Sequence, residues 1–297
     1  MGLNSGLVVG AHGRHYVVET AQRQRILCHR RGKKGDCVVG DSVEWKPTGD
    51  GGVIEAVLPR RSLLWRQDRW RSKSFAANID RLIVLVAAAP PMDEGLLARA
   101  LVAAAHADIP AHVLLNKTDL PEADAARTRL EPYRRMGVPL LEVSVKRDPA
   151  GSRAALHPLL AHGITLLLGA SGVGKSTLIN ALVPDAAAQV GELSLALNAG
   201  RHTTTTTTWY WLDDTHEAAV LDSPGFQEFG LLQVPPEQLA RLLPDIAAHT
   251  GSCRFVNCTH RSEPDCAVRA ATAGGEISPG RLRFYQELYD ELSQPRW

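Results

Sequence analysis

Hydrophobic and polar residues follow two different patterns along the 297-residue chain. From residue 7 to about residue 64, short runs of alternating apolar and polar residues are separated by glycine-containing turns, which predicts short antiparallel strands. Further on, unbroken apolar runs alternate with longer helical patterns, which predicts a doubly wound α/β sheet of parallel strands. The predicted strands are residues 79–88, 111–115, 140–143, 164–168 and 218–221, and the predicted helices include residues 95–106 and 152–161.

The alternating N-terminal segment predicts a small closed β-barrel of the oligonucleotide-binding (OB) type, with five or so strands in about 60 residues. It is also the basic part of the chain. Residues 1–75 hold 14 Lys and Arg against 7 Asp and Glu, a net charge of +7, so the other 222 residues carry −6 of the total of +1. Such an asymmetry indicates a surface that faces a polyanion.

Aromatic residues lie among arginines in and after this segment. They are predicted to stack on nucleic-acid bases while the arginines neutralise phosphates. The alternative is that the tryptophans fill the barrel core and the arginines are solvated. These residues are Tyr16, Trp45, Trp65 and Trp70, with Arg60, Arg61, Arg66, Arg69 and Arg71. The polar stretch 66–74 is interpreted as a linker to the next domain.

The composition, with 44% hydrophobic and 22% charged residues, is typical of a soluble globular protein of two or three domains. No apolar run approaches the about 18 residues that are needed to span a bilayer. Residues 1–10 also lack the basic start and apolar core of a signal peptide. We therefore expect a cytoplasmic protein without a membrane partner.

Residues 169–177 carry the strongest chemical signal, because they stand between a predicted strand and a predicted helix, as a phosphate-binding loop does. The glycines let backbone N–H groups turn inward at a helix N-terminus, where the helix dipole favours anions. Lys175 is predicted to contact the outer phosphates and the Ser176 hydroxyl to ligate Mg²⁺. The alternative is an ordinary glycine turn. The predicted phosphate-binding residues are Gly169, Ala170, Ser171, Gly172, Val173, Gly174, Lys175, Ser176 and Thr177.

A second motif, Asn116-Lys117-Thr118-Asp119, predicts which nucleotide binds, because it stands at the carboxyl end of a predicted strand. The Asp119 carboxylate can accept two hydrogen bonds from the N1–H and amino groups of guanine, whereas adenine has no such donor pair. Asn116 either donates to guanine N7 or joins two loops, and the Lys117 stem can lie over the base. Together with the phosphate loop, the motif indicates GTP rather than ATP.

Two later segments are predicted to sense the γ-phosphate. One of the threonines from Thr203 to Thr205 is expected to ligate Mg²⁺, and Thr205 is the candidate chosen here. The threonines at 206–208 are interpreted as the start of a β-branched edge strand. At the end of the predicted strand 218–221, Asp222 supplies a carboxylate on the metal side, and the N–H of Gly225 can contact the γ-phosphate.

Four metal-binding residues crowd into one short C-terminal segment, as Cys253, Cys258, His260 and Cys266. Three thiolates and one imidazole form a closed tetrahedral set for one structural Zn²⁺ per chain. A disulfide or redox role is the alternative, which a cytoplasmic location disfavours. The other two cysteines, Cys28 and Cys37, are interpreted as buried thiols. A helix that starts near Ser278 is predicted to pack on the zinc loop through Leu282, Tyr285, Leu288, Tyr289 and Leu292.

The base motif precedes the phosphate loop in this chain, the reverse of the usual order in GTPases. Together with the sequences at 200–205 and 222–225 and the Cys/His cluster, this order resembles the bacterial ribosome small-subunit-dependent GTPase A family over nearly the whole chain. The resemblance implies an OB-fold RNA-binding domain (1–72), a circularly permuted GTPase domain (73–231) and a zinc-binding domain (232–297). It also implies GTP hydrolysis with Mg²⁺ and a role in late 30S maturation, with the 30S subunit and 16S rRNA as partners. Ser144 matches the family's third base-contacting motif, although Val145 departs from its usual alanine.

Phe226 follows Gly225, where Ras-like enzymes have the glutamine that orients water. Because a phenyl ring cannot position water, we expect slow intrinsic hydrolysis. His202, another switch residue or the partner would supply the missing polar group. A GTP-regulated adaptor for another RNA or a protein is the alternative function, and a nucleotide-dependent kinase or ATPase would have no use for Asp119. We expect a monomer that binds GTP and GDP.

Overall fold

The computed structural model describes residues 2–31, 37–49, 51–67, 72–183, 186, 207–223 and 230–294. In chain order they form a β-barrel, a β-hairpin, a six-stranded sheet flanked by helices, and a helical C-terminal part. Of the helices in these residues, none combines the length and the hydrophobicity that crossing a bilayer requires.

Five strands close a barrel at the N-terminus, in the order β1-β2-β3-β5-β4. The first strand pairs with both the second and the fourth, which closes the barrel, and the third runs parallel to the fifth. The predicted five-stranded barrel is thereby confirmed. The strands are β1 (Asn4–His12), β2 (His15–Glu19), β3 (Arg25–Arg30), β4 (Ser42–Thr48) and β5 (Gly51–Val57).

Side chains that alternate along the strands fill the barrel, and two of the aromatic residues are among them. Trp45 is 4% exposed and Tyr16 is 9% exposed, both within this core. A Cβ atom on Gly52 would lie 2.6 Å from the Trp45 ring, so the tryptophan packs directly on backbone. The prediction that Tyr16 and Trp45 stack on bases is therefore wrong, because both rings face the inside of the barrel. Cys28 and Cys37 are buried, as expected.

We interpreted the polar stretch at 66–74 as a linker. For the residues of it that the structure describes, this interpretation is wrong. They belong to an antiparallel hairpin of β6 (Leu63–Gln67) and β7 (Ser72–Ala77). In β7, Lys73 is exposed while Ser74 and Ala76 are buried, which is the period of a strand with one solvated face. The basic residues on the exposed face hide this alternation in the sequence.

A backbone hydrogen bond joins the hairpin to the barrel segment, and ion pairs hold the residues that flank the hairpin. The Ala77 amide donates to the Val39 carbonyl at 3.0 Å. Asp41 is fully buried and accepts from Arg60 Nε at 2.6 Å, whereas Arg61 pairs with Asp80 at 2.7 Å. Arg60 is thus engaged in an ion pair within the fold, whereas Arg61 pairs with Asp80 but stays 66% exposed.

The central sheet has the order β10-β9-β8-β11-β13-β12. Its first five strands are parallel, and β12 pairs antiparallel with β13 at the edge, so the predicted α/β sheet is confirmed with one antiparallel edge strand. Thr208 begins this edge strand, as the β-branched run predicts. The strands are β8 (Arg81–Ala87), β9 (Ala111–Asn116), β10 (Leu140–Glu142), β11 (Gly163–Gly169), β12 (Thr208–Trp211) and β13 (Ala218–Asp222).

Buried residues on the two faces of the sheet belong to separate hydrophobic cores. Val84 and Leu166 lie in one core and their neighbours Ile83 and Leu167 in the other, because successive side chains of a strand point to opposite faces. Burial on both faces explains the unbroken apolar runs. The helices of this part are α1 (Glu94–His106), α2 (Ala123–Arg135), α3 (Pro149–Leu160) and α4 (Lys175–Leu182).

The C-terminal part is helical and shares the larger of these cores through Tyr285 and Leu288. Tyr285 also donates from its hydroxyl to the Thr259 carbonyl at 3.0 Å, so the last helix packs on the cysteine-containing loop, as predicted. The elements are a 3₁₀ helix (Pro236–Leu242), α5 (Pro244–Thr250), α6 (Ala267–Ala273) and α7 (Pro279–Leu292). The domain boundaries at 72/73 and 231/232 stay predictions.

A buried carboxylate joins the barrel to the edge of the sheet. Glu19, at the end of β2, is only 6% exposed and accepts from Trp211 Nε1 at 3.0 Å and from Arg25 Nε at 3.2 Å. His216 Nδ1 lies 3.0 Å from the same carboxylate, and its ring stacks on Trp211 at 4.3 Å. We call these four residues the Glu19 junction.

Candidate nucleotide and metal sites

The glycine-rich segment forms a tight loop between β11 and α4. Gly172 and Gly174 have φ angles of +82° and +101°, which L side chains rarely adopt. A Cβ atom on Gly169 would lie 2.8 Å from the Leu85 carbonyl oxygen, so only glycine fits where β11 ends against β8. The α4 helix begins at Lys175, directly after the loop. The backbone therefore has the strand, loop and helix N-terminus that bind phosphate groups.

Asn116 fastens the base motif to this loop. Its Nδ2 donates to the Val173 carbonyl at 2.9 Å, and its Oδ1 accepts from the Val145 amide at 3.1 Å. The side chain is 2% exposed, and a Cβ atom on Gly174 would lie 2.3 Å from its Nδ2. The sequence leaves two roles open for Asn116, which are donation to guanine N7 and the joining of two loops. The structure shows the second role.

The other residues of the base motif stand around the same point. Lys117 Nζ donates to the carbonyls of Ala89 and Gly172, both at 2.7 Å, and so bridges the end of β8 to the glycine-rich loop. Ser144 Oγ lies 2.9 Å from Thr118 Oγ1 and accepts from the Asp119 amide at 3.0 Å. Asp119 itself is exposed. Its carboxylate therefore lies in solvent beside an anchored loop, where it is accessible to accept hydrogen bonds from a guanine base.

Lys175 joins the other side of the loop to the end of β13. Lys175 Nζ lies 2.8 Å from Asp222 Oδ1 and donates to the Ser223 carbonyl at 2.7 Å. Ser176, in the first turn of α4, is exposed. The pKa of Tyr210 is raised to about 12, mainly by burial and to a smaller extent by the Asp222 carboxylate, so this phenol stays neutral. A hydroxyl and a carboxylate at a helix N-terminus are hard oxygen donors, which fit Mg²⁺.

The predicted residues of the γ-phosphate side, among them His202, Thr203, Thr204, Thr205, Gly225 and Phe226, lie outside the described residues. Their roles stay predictions.

The C-terminal cysteines and histidine form one group, as predicted. The ligand atoms of Cys253, Cys258, His260 and Cys266 all lie within 4.8 Å of one another. The Sγ atoms of Cys253 and Cys266 are each 3.5 Å from His260 Nδ1. Tetrahedral coordination with Zn–S of about 2.3 Å and Zn–N of about 2.0 Å requires an S···N separation of about 3.5 Å, so the group fits a metal ion.

One residue that supports this group escaped the sequence analysis. Glu263 accepts from the amide and hydroxyl of Thr259, both at 2.6 Å, and from the Arg261 amide at 3.0 Å. Burial acts to raise the pKa of Glu263, but these hydrogen bonds lower it to about 2, so the carboxylate stays charged. An acidic residue within a four-ligand loop was the only signal in the sequence that pointed to it.

Comparison with known proteins decides the family. Residues 57–232 match the RsgA GTPase family. The chain belongs to this family. A protein of Variovorax paradoxus (strain S110), named small ribosomal subunit biogenesis GTPase RsgA, is 52% identical over 300 residues, covering 99% of this chain and 94% of that protein. The protein of the same name from Bordetella pertussis (strain Tohama I) is 50% identical over 293 residues, covering 98% and 97%.

Two solved structures are similar over the whole RsgA-family chain. The crystal structure of YjeQ from Thermotoga maritima covers 99% of this chain and 100% of that one, with a TM-score of 0.72 and 30% identity. The structure of YloQ, described as a circularly permuted GTPase, covers 100% and 98%, with a TM-score of 0.71 and 28% identity. The predicted permutation is confirmed: the base motif on β9 precedes the phosphate loop after β11, yet a hydrogen bond joins them.

Proposed function

We propose that the protein hydrolyses GTP to GDP and phosphate while it is bound to the small ribosomal subunit, and that it assists late 30S maturation by contacting 16S rRNA. The 2.9 Å hydrogen bond from Asn116 to Val173 carries the nucleotide part of this proposal, because it places a guanine-reading motif against a phosphate loop. Relatives named as small ribosomal subunit biogenesis GTPases support the partner. We further propose that the protein works in the cytoplasm as a monomer.

Each part of the site then has a role in the reaction. The backbone N–H groups of residues 170–174 hold the phosphates, and the Lys175 ammonium neutralises charge that develops on the γ-phosphoryl group. Asp119 accepts from guanine, and Lys117 holds the base loop against the phosphate loop. Mg²⁺ that enters with GTP supplies further charge neutralisation. Ser176 and a switch threonine, Thr205 by our prediction, would hold it, with Asp222 acting through water.

Activation of the attacking water needs a group other than the residue after Gly225. Phe226 stands in the position of the usual glutamine and has no polar atom in its side chain. We propose that His202, another residue of its segment or the subunit positions the water, so that turnover is slow until the subunit binds.

The C-terminal cluster is proposed to bind one structural zinc ion. Three thiolates and one imidazole fill a tetrahedral shell and leave no position open for substrate. Burial lowers the pKa of His260, which keeps the imidazole neutral, as metal ligation requires. The ion would hold the loop on which α7 packs through Tyr285.

GTP turnover tests the enzyme, measured on the protein alone and with purified 30S subunits. We expect slow turnover alone and stimulation by subunits. Fast turnover without a partner, or ATP competing as well as GTP, would contradict the proposal.

A matched variant tests the base-reading role. In Asp119→Asn an amide donor replaces one acceptor of the carboxylate, and xanthine offers a carbonyl where guanine has its amino group. The variant is expected to lose GTP in favour of xanthosine triphosphate, as measured by competition for binding. Unchanged preference for GTP would remove Asp119 from the site.

Sedimentation with ribosomal subunits tests the partner. We expect stronger association with a non-hydrolysable GTP analogue than with GDP, because the segments proposed to sense the γ-phosphate stand in the sequence between the basic barrel and the C-terminal part. Association with another RNA or protein, and none with 30S subunits, would favour the adaptor alternative.

A further inference from the structure

The Glu19 junction is a polar contact between the barrel and the edge strand of the central sheet. Both carboxylate oxygens of Glu19 accept from Trp211 Nε1, at 3.0 and 3.2 Å, and His216 Nδ1 lies 3.0 Å from one of them. Glu19 ends β2 of the barrel, whereas Trp211 ends β12 of the sheet. Because Glu19 is only 6% exposed, solvent has little access to these hydrogen bonds.

Apolar packing lies beside this contact. Val9 and Val17 of the barrel belong to the same hydrophobic core as Trp209 of β12. The rings of Trp209 and Trp211 meet edge to face, with their centroids 5.1 Å apart. Apolar burial holds the two surfaces together without selecting a direction, whereas a hydrogen bond requires a defined geometry. The contact between Glu19 and Trp211 therefore defines where β12 lies against the barrel.

The other end of β12 lies at the nucleotide site. In the antiparallel register of β12 and β13, Thr208 is directly opposite Asp222 and Trp211 is opposite Ala219. Asp222 Oδ1 in turn lies 2.8 Å from Lys175 Nζ. The strand β12 has four residues and pairs with β13 along all of them, so it moves as one unit. A contiguous series of contacts thus leads from the barrel to the lysine of the phosphate loop.

We infer that Glu19 is a positioning residue for GTP hydrolysis. Through Trp211 it sets the place of β12, and a subunit that holds the barrel acts through this contact on Asp222 and Lys175. The inference rests on the proposed function, in which the subunit stimulates turnover, but it does not depend on which surface of the barrel meets the subunit. If the contact is broken, pairing with β13 still holds β12, so basal turnover persists while the action of the barrel is lost.

GTP turnover with and without purified 30S subunits tests this role in two variants of β12. Trp211→Phe keeps an aromatic ring and removes the N–H that Glu19 accepts. The stimulated rate is expected to fall about tenfold, while basal turnover and sedimentation with subunits stay within about twofold. The matched control is Trp209→Phe, the same substitution on the same face of the strand. The buried Trp209 Nε1 has no hydrogen-bond partner among the described residues, so this variant should keep the stimulation although it loses core packing.

Variants of Glu19 test the contact from the barrel side. Glu19→Gln retains an oxygen that can accept from Trp211, whereas Glu19→Ala does not, so more of the stimulation should remain in Glu19→Gln. Glu19→Ala combined with Trp211→Phe should lose no more stimulation than the larger single loss, because both substitutions break the same contact. Thermal melts confirm that each variant folds.

Several results would overturn the inference. They are full stimulation of Trp211→Phe, an equal loss in Trp209→Phe, weaker sedimentation of Trp211→Phe with subunits, or a fall in basal turnover by the same factor as the stimulated rate. If subunits stimulate the unmodified protein in these cases, the positioning role of Glu19 fails and the proposed function stands. If subunits do not stimulate the unmodified protein, the proposed function fails and the inference fails with it.

Discussion

The nucleotide site and the Cys/His cluster both bring separated side chains together, but different forces hold them in place. Asn116 and Val173 are 57 residues apart, and strands with a buried core on each face carry them to one hydrogen bond. The four cluster residues stand within a 14-residue segment, and their ligand atoms gather within 4.8 Å. A hydrophobic sheet orders the first site, whereas the second depends on the ion that it is proposed to bind.

Removal of the metal is expected to have the largest effect. Structural zinc contributes about 10–16 kcal/mol of apparent binding free energy in small zinc-binding units. Chelation, or Cys258→Ala, should unfold residues 253–266, which hydrogen exchange would detect, with metal content measured in parallel. GTP affinity should change much less, because the described residues of the nucleotide site make no contact with the cluster in this structure. If the amides of residues 253–266 stayed fully protected from hydrogen exchange after metal removal, the loop would not depend on the ion for its fold.

Lys175→Ala is expected to lower single-turnover GTP hydrolysis on the 30S subunit by about 10²–10³-fold, the usual loss for one charge-stabilising donor. The melting temperature should change little, since the sheet rather than the Lys175–Asp222 pair holds the loop. Lys175→Arg is the matched control for charge, and it should also be slow because a planar guanidinium does not match the compact ammonium. Rates within a few-fold of the unmodified protein would remove Lys175 from the reaction.

Asn116→Ala is expected to reduce the free energy of unfolding by about 1–3 kcal/mol, because it leaves the Val173 carbonyl and the Val145 amide without their partner. GTP and GDP should weaken together, since both loops lose their connection. Urea denaturation and calorimetric titration measure the two effects. Asn116→Asp is the matched control: it retains the acceptor for Val145 and loses the donor to Val173. A change in the free energy of unfolding without a change in nucleotide affinity would show that the hydrogen bonds of Asn116 do not support nucleotide binding.

Arg254→Ala is expected to have the smallest effect, about 0–1 kcal/mol in unfolding free energy. The ion pair between Arg254 and Asp265 lies beside the cluster, but its side chains are 64% and 67% exposed. Metal content should stay at one ion per chain in the variant. A loss of metal as large as that in Cys258→Ala would show that the pair, rather than the ion, organises the loop.

Much of the candidate site is predictable from sequence because its signals are local or topological. The phosphate loop is contiguous between its own strand and helix, so its place follows from residues 164–182 alone. The approach of Asn116 to that loop follows from parallel strands, whose carboxyl ends meet at one edge of a sheet. The structure of YloQ, which is similar over the whole chain and is described as a circularly permuted GTPase, agrees with the permuted order of the motifs.

The features that the sequence did not predict depend on the direction in which a side chain points from its strand. Tyr16 and Trp45 alternate with polar neighbours, and the pattern alone does not say which face of a closed barrel an aromatic ring occupies. The basic residues of β6 and β7 hid a strand with one solvated face. The contact of Glu19 with Trp211 joins residues 192 positions apart, and neither belongs to a motif.

The Glu19 junction limits how far the barrel can lie from the threonine run. Trp211, held by Glu19, is six residues beyond Thr205, and six extended residues span at most about 22 Å. While the junction stays closed, Thr205 must remain within that distance of Trp211, whichever nucleotide is bound. The threonine run is therefore tethered to the barrel through Trp211, although 186 positions of sequence separate Thr205 from Glu19.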